Sequence, residues 1–199
     1  MSHNVVLASA SPRRKELLGL ILPEFRVIPS EFEESLAPAE LDPRRHVVNS
    51  AEMKARDVAA KHPGALVIGA DTVVVVNGEI LGKPADESDA ARMLRALSGR
   101  THQVYTGIAV ARDGVVRGDF ECTDVTFREL SEDLIARYIC TGEPMDKAGA
   151  YAIQRKGSVL IAGIRGCYFN VVGLPIYKLS RVLEEFGFEL LCRRGEGFG

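Results

Sequence analysis

Leu66-Val67-Ile68-Gly69-Ala70-Asp71-Thr72-Val73-Val74-Val75-Val76-Asn77-Gly78-Glu79-Ile80-Leu81 is the stretch on which the reading of the fold turns. The apolar runs Ala65 to Ile68 and Thr72 to Val76 fit buried strands. Asn77-Gly78 tolerates left-handed backbone at both positions, so it predicts a two-residue turn that folds the chain back into Glu79-Ile80-Leu81. A hairpin there makes an antiparallel pair, which excludes a sheet built only from crossover units.

Working outward toward the N-terminus, Val5 to Ala8 reads as a short buried strand, and Ser11-Pro12 starts a helix that runs to Leu18 and stops at Gly19. Phe25 to Ile28 predicts another strand. Ser30 to Asp42 holds five acids and reads as a solvated loop. Asp42-Pro43 opens a helix to about Lys61 whose Val47, Ala51, Ala55 and Val58 share one face. Toward the C-terminus, Ala90, Met93, Leu94 and Leu97 mark a helix stopped by Gly99. Gln103 to Arg112 and Val115 to Phe127 predict strands joined by a turn at Asp113-Gly114, the second broken by a bulge or bend. Ser131 caps a helix to about Cys140, Val159 to Ile164 and Tyr168 to Val172 read as strands, and Pro175 to Phe186 closes the chain as a helix. The expected class is α/β, a mixed sheet with flanking helices, and two lobes around a cleft would suit it.

The 199 residues suffice for one domain over 1–199, able to bury roughly 70% of its unfolded surface. With 25 Lys plus Arg against 27 Asp plus Glu, the net charge of -2 argues against a long nucleic acid as partner. Cys122, Cys140, Cys167 and Cys192 form no Cys-x-x-Cys pair, which fits reduced thiols. The N-terminus has no cationic, apolar leader, and no apolar run reaches the ~20 residues of a spanning helix, so a cytoplasmic location without a membrane is expected.

Several residues carry candidate chemistry. Asp71 sits in the most hydrophobic stretch of the chain, where a carboxylate needs a metal, a cation or hydrogen-bond donors, and such acids cluster at active sites. An Asp capping a turn between two strands is the alternative. In Ser9-Ala10-Ser11-Pro12-Arg13-Arg14 a helix start carries two arginines where the macrodipole prefers acids. An anion docking there would turn that misfit into a phosphate site, with a solvated arginine pair as the alternative. Lys54 lies at the edge of its helix's apolar stripe, either pointing into a cleft or snorkelling. Lys83, before Pro84, is weak evidence taken alone. Glu33 and Glu34 are solvated charges unless a metal recruits them. Gln154 ends a short apolar segment bracketed by glycines, and its amide could read a pyrimidine edge or finish a turn.

Taken in order, Leu7-Ala8-Ser9-Ala10-Ser11-Pro12-Arg13-Arg14-Lys15-Glu16-Leu17-Leu18, Gly69-Ala70-Asp71-Thr72-Val73-Val74, Gly82-Lys83-Pro84, Leu97-Ser98-Gly99-Arg100-Thr101-His102-Gln103-Val104-Tyr105-Thr106-Gly107 and Asp146-Lys147-Ala148-Gly149-Ala150-Tyr151-Ala152-Ile153-Gln154 strongly resemble the Maf family of nucleotide pyrophosphatases. The resemblance implies an inosine triphosphate pyrophosphatase-like fold, a homodimer, a divalent cation (Mg²⁺ or Mn²⁺) and the branch that acts on dTTP and UTP. It implies Asp71 as proton acceptor, with Arg13, Thr72 and Gln154 setting substrate choice. The chain departs from the pattern at Arg155, where the family usually has glycine, and in Ser30-Glu31-Phe32-Glu33-Glu34, whose alignment favours Glu34 over Glu33 as the metal's second carboxylate.

The mechanism these residues suggest has Asp71 and Glu34 holding the metal. Asp71 would also prepare a water for attack on the α-phosphorus, releasing a monophosphate and pyrophosphate. Arg13, Arg14, Lys54 and Lys83 would offset the triphosphate charge, and Ser9 would hydrogen-bond a phosphate oxygen. The rival reading is a non-catalytic nucleotide-binding regulator of cell division.

Overall fold

A computed structural model describes residues 4–32 and 42–191. Strands are β1 (Val5–Leu7), β2 (Arg26–Val27), β3 (Leu66–Val76), β4 (Glu79–Leu81), β5 (Thr101–Arg112), β6 (Val115–Phe127) and β7 (Ile161–Arg165). Helices are α1 (Pro12–Gly19), α2 (Pro43–Lys61), α3 (Glu87–Leu97), α4 (Glu132–Ile139), α5 (Tyr168–Val172) and α6 (Ile176–Glu185).

The strands form one sheet in the order β2-β1-β3-β5-β6-β7, with β4 paired to β3. It is mixed: β1 lies parallel to both β2 and β3, whereas β4 is antiparallel to β3 and β7 to β6. The β3–β4 turn takes left-handed backbone at Asn77 (φ 51°) and Gly78 (φ 81°), and Asp113 (φ 50°) and Gly114 (φ 83°) repeat this between β5 and β6. Two successive positive φ values match the twist of a tight hairpin, which is why each loop can be two residues long. Helix starts follow the sequence equally closely. Ser11, Asp42 and Ser131 accept from Arg14 N, Arg44 N and Leu134 N, each satisfying an N–H that the helix leaves orphaned.

The chain divides into two compact units. The first comprises Met1–Asp71, Thr106–Glu121 and Gly173–Gly199. One of its clusters is built from small side chains, with Ala51, Ala55 and Val58 of α2 meeting Val6, Val67, Ala109 and Ala111. The second comprises Thr72–Tyr105 and Cys122–Val172, and its core is bulkier, with Met93, Leu94, Leu97, Phe127, Ile135, Tyr138, Tyr151 and Leu160. Among the described residues no helix is long and apolar enough to cross a membrane.

Three elements depart from the sequence reading. Leu66 to Val76 is one unbroken strand rather than two. Val115 to Phe127 likewise forms a single element, its expected irregularity confined to a register shift against β7 between Thr126 and Phe127. Tyr168 to Val172 is a short helix, not a strand. Its fully buried Asn170 donates through Nδ2 to Val104 O and to Thr123 Oγ1, both at 2.9 Å, so packing of one amide overrides the β preference of its aromatic and branched neighbours.

Candidate active site

β3 runs through Asp71 without interruption, so this carboxylate hangs from regular strand backbone and caps no turn. The residue is only 7% exposed. Burial at that depth is costly unless a cation or N–H groups compensate. The compensation comes from α2, where Lys54 Nζ donates to Asp71 Oδ1 at 2.8 Å.

Two glycines explain how a helix lysine reaches that carboxylate. A Cβ on Gly69 would lie 2.2 Å from Ala51 O and 3.0 Å from Ala55 N, and one on Gly107 would lie 2.2 Å from Val47 O. The backbone of α2 therefore rests directly on β3 and β5, closer than any side chain on those strands would permit. Lys54, one residue before Ala55, leaves the helix at this closest approach. The sequence places Lys54 at the edge of the apolar stripe, and the ion pair decides against simple snorkelling.

The Ser9 to Arg14 loop reaches the same place for a topological reason. β1 and β3 are parallel with Leu7 beside Ile68, and Ala8 N donates to Ile68 O at 2.8 Å. Three residues farther along both strands come Ala10 and Asp71, so the loop leaving β1 opens beside the carboxylate. That position, beyond the carboxyl end of a parallel strand, is where open α/β sheets bind ligands. Ser9 is buried, and Arg13 and Arg14 are half-buried at the first turn of α1.

Arg14 is not a solvated charge. Its Nη1 donates to Ser9 Oγ at 3.2 Å and to Ala70 O at 2.9 Å, and its Nε donates to Gly173 O at 2.9 Å. Ser9 Oγ also accepts from Ser11 N at 3.3 Å. Arg14 thus braces the loop against the peptide that precedes Asp71, a role for which the sequence offers no signal because the acceptors beyond the loop, Ala70 O and Gly173 O, are backbone oxygens distant in the chain.

Thr72, Lys83 and Gln154 belong to the second unit. Thr72 follows Asp71 on β3 and is half-buried, while Lys83 is exposed between β4 and α3. Gly149 N donates to Gly82 O at 3.0 Å, which ties the Lys83 segment to the turn ahead of Gln154. Gln154 is half-buried and extended, and Arg155 after it is left-handed at φ 56°. Glycine adopts that backbone without the strain that an arginine Cβ brings, which gives a physical reason for the glycine expected there. Nearby, His102 is fully buried with Nε2 2.7 Å from the Tyr151 hydroxyl, and burial pushes its imidazole down to about 4. Glu33 and Glu34 lie outside the described residues, among which no group of three or more His, Cys, Asp or Glu could hold a metal.

Residues 4–186 match the family model described as Maf-like protein. The chain belongs to the Maf-like family. A dTTP/UTP pyrophosphatase of Clostridium botulinum (strain Kyoto / Type A2) is 50% identical over 192 residues, which cover 94% of this chain and 99% of the relative. One from Thermococcus kodakarensis is 52% identical over 190 residues, covering 95% of this chain and 100% of the relative. Among solved structures, a nucleoside-triphosphatase / dITP/XTP pyrophosphatase from Mycobacterium abscessus aligns over 92% of this Maf-like chain and 94% of its own, with 14% identity and a TM-score of 0.46.

Proposed function

We propose that this Maf-like protein is a nucleoside triphosphate pyrophosphatase that hydrolyses dTTP and UTP to the monophosphate and pyrophosphate. The observation that carries the reading is the buried Asp71 carboxylate, paired with Lys54 and opening onto the arginine-bearing loop that follows β1. The names and nearly complete alignment of the relatives supply the substrate class.

Asp71 is the proton acceptor. A carboxylate needs a fixed orientation to take a proton from water, and the Lys54 ion pair supplies it from an element that cannot drift. Water oxygen forms a bond to the α-phosphorus, the bond from that phosphorus to the bridging oxygen breaks, and the proton passes to Asp71. Pyrophosphate leaves. Arg13, Arg14, Lys54 and Lys83 offset the charge that spreads over the phosphate oxygens, and Ser9 donates to one of them. Arg14 does this while holding Ala70, so it serves charge and geometry together. Thr72 and Gln154 keep the role in base choice that the family resemblance gives them.

Mg²⁺ or Mn²⁺ would be the cation, as the family resemblance implies. These ions take one or two carboxylates and fill the remaining positions with water and substrate phosphates, and Asp71 with Glu34 would be such a pair. The bound ion would neutralise phosphate charge as a Lewis acid. Incubation with Mg²⁺ or Mn²⁺ and a panel of nucleoside triphosphates, followed by identification of phosphorus products, tests the reading. Monophosphate with pyrophosphate is expected, fastest for dTTP and UTP. Orthophosphate without pyrophosphate, or no turnover of any nucleotide, would overturn it.

A further inference from the structure

The segment carrying Gln154 is held at both ends by side chains rather than by a strand ladder. At its start, Ala152 N donates to the buried Tyr138 hydroxyl at 3.2 Å. At its end, Gly157 N donates to Glu143 Oε1 at 2.9 Å and Lys156 N to Glu143 Oε2 at 3.3 Å. Tyr138 OH donates to Glu143 Oε1 at 3.0 Å, which joins the two anchors. Lys147 Nζ donates to the Glu143 backbone carbonyl at 2.8 Å and so holds the backbone from which the acid projects. The fit is close: a Cβ on Gly157 would lie 2.2 Å from Ala152 O and 2.6 Å from the Tyr138 hydroxyl.

Between those anchors lie Ile153, Gln154 and Arg155. Only a carboxylate can accept from two adjacent backbone N–H groups and a phenol together, because both its oxygens are acceptors. We propose that Glu143, acting through the Tyr138 clamp, is a positioning residue for nucleobase selection. It touches no substrate and sets where the Gln154 amide stands. The proposal rests on the reading in which Gln154 reads the base.

Steady-state KM and kcat for UTP and for GTP would be measured in the wild type, Glu143→Ala, Gln154→Ala and the double variant, with amide exchange at Lys156 and Gly157 followed by NMR. Glu143→Ala is expected to lower the UTP-over-GTP preference about 10-fold, chiefly through KM for UTP, and to speed exchange at both amides. Residues acting through one another are not additive, so the double variant should lose no more preference than Gln154→Ala alone. Glu143→Gln, which keeps one acceptor oxygen, should fall between wild type and Glu143→Ala, and it decides the matter if the alanine variant does not fold. Faster exchange with an unchanged preference overturns the proposal, as does a fully additive double variant. If Gln154→Ala leaves the preference unchanged, the base-reading role falls first and takes the proposal with it. A change with Gln154→Ala but none with either Glu143 variant sinks the proposal alone.

Discussion

Asp71 and Gln154 are held in opposite ways. Asp71 sits in the middle of an eleven-residue strand, with α2 seated on Gly69 of that strand and Lys54 on its carboxylate. Gln154 sits where no strand partner exists for it, between a phenol and a carboxylate that substitute for a ladder. A group that takes a proton must be fixed within a fraction of an ångström, and regular elements supply that rigidity. A group that chooses among bases gains from a support that few substitutions can retune. On the proposed roles, chemistry and selectivity should be open to separate alteration in this chain.

The largest effect is expected at Asp71. Asp71→Asn keeps the shape but removes the proposed proton acceptor, and kcat should fall roughly 10²- to 10⁴-fold for every nucleotide with base preference intact. A loss confined to one nucleotide would mean that Asp71 selects rather than reacts. Gly69→Ala comes next. Its methyl group would displace α2 and with it Lys54, so kcat should drop about 100-fold, with about 1–3 kcal/mol of stability lost in urea unfolding. Full activity in that variant would show that the Lys54 contact is dispensable.

The second unit offers a pH test. Burial pushes the His102 imidazole down to about 4, while the unfolded chain takes up its proton near 6.5. The folded state is therefore favoured fully above pH 6.5, loses stability as pH falls from 6.5 toward 4, and levels off below. By pH 5 the loss from this group is about 2 kcal/mol. Denaturation of wild type and His102→Phe at pH 7 and 5 checks this, and an equal fall in both would acquit His102. Smaller again, Gln154→Ala should lower the UTP-over-GTP preference about 10-fold while kcat for UTP changes little, because an unpaired base edge costs on the order of one hydrogen bond. The smallest effect concerns backbone. Arg155→Gly relieves a left-handed residue and should raise the urea midpoint by the equivalent of about 0.5–1 kcal/mol, net of glycine's greater unfolded freedom. A lower midpoint would mean that the arginine side chain outweighs the strain.

What could be read in advance was local. Asn77-Gly78, Ser11-Pro12, Asp42-Pro43 and Ser131 each act within four residues, and their turns and caps appear where the sequence places them. The mixed sheet followed from those turns. Tyr168 to Val172 misled because its β-forming composition says nothing of Asn170, whose partners lie 66 and 47 residues away. Asp71 was legible as an acid in need of compensation, but not its compensator, because the Lys54 contact depends on two glycines that meet a helix backbone only after folding. Arg14 was legible as a misplaced charge, and the backbone oxygens it grips were invisible for the same reason. Glu143 looks like an ordinary acid beside a proline.

Gly69 and Gly107 also mark out a route for redesign. A mutagenesis library aimed at new nucleotide substrates should hold both of them invariant, since a single added carbon there would be transmitted through α2 to Lys54 and its partner Asp71. Diversity is better directed to residues 153–155, which lie between the Tyr138 and Glu143 anchors and leave Asp71 and Lys54 untouched.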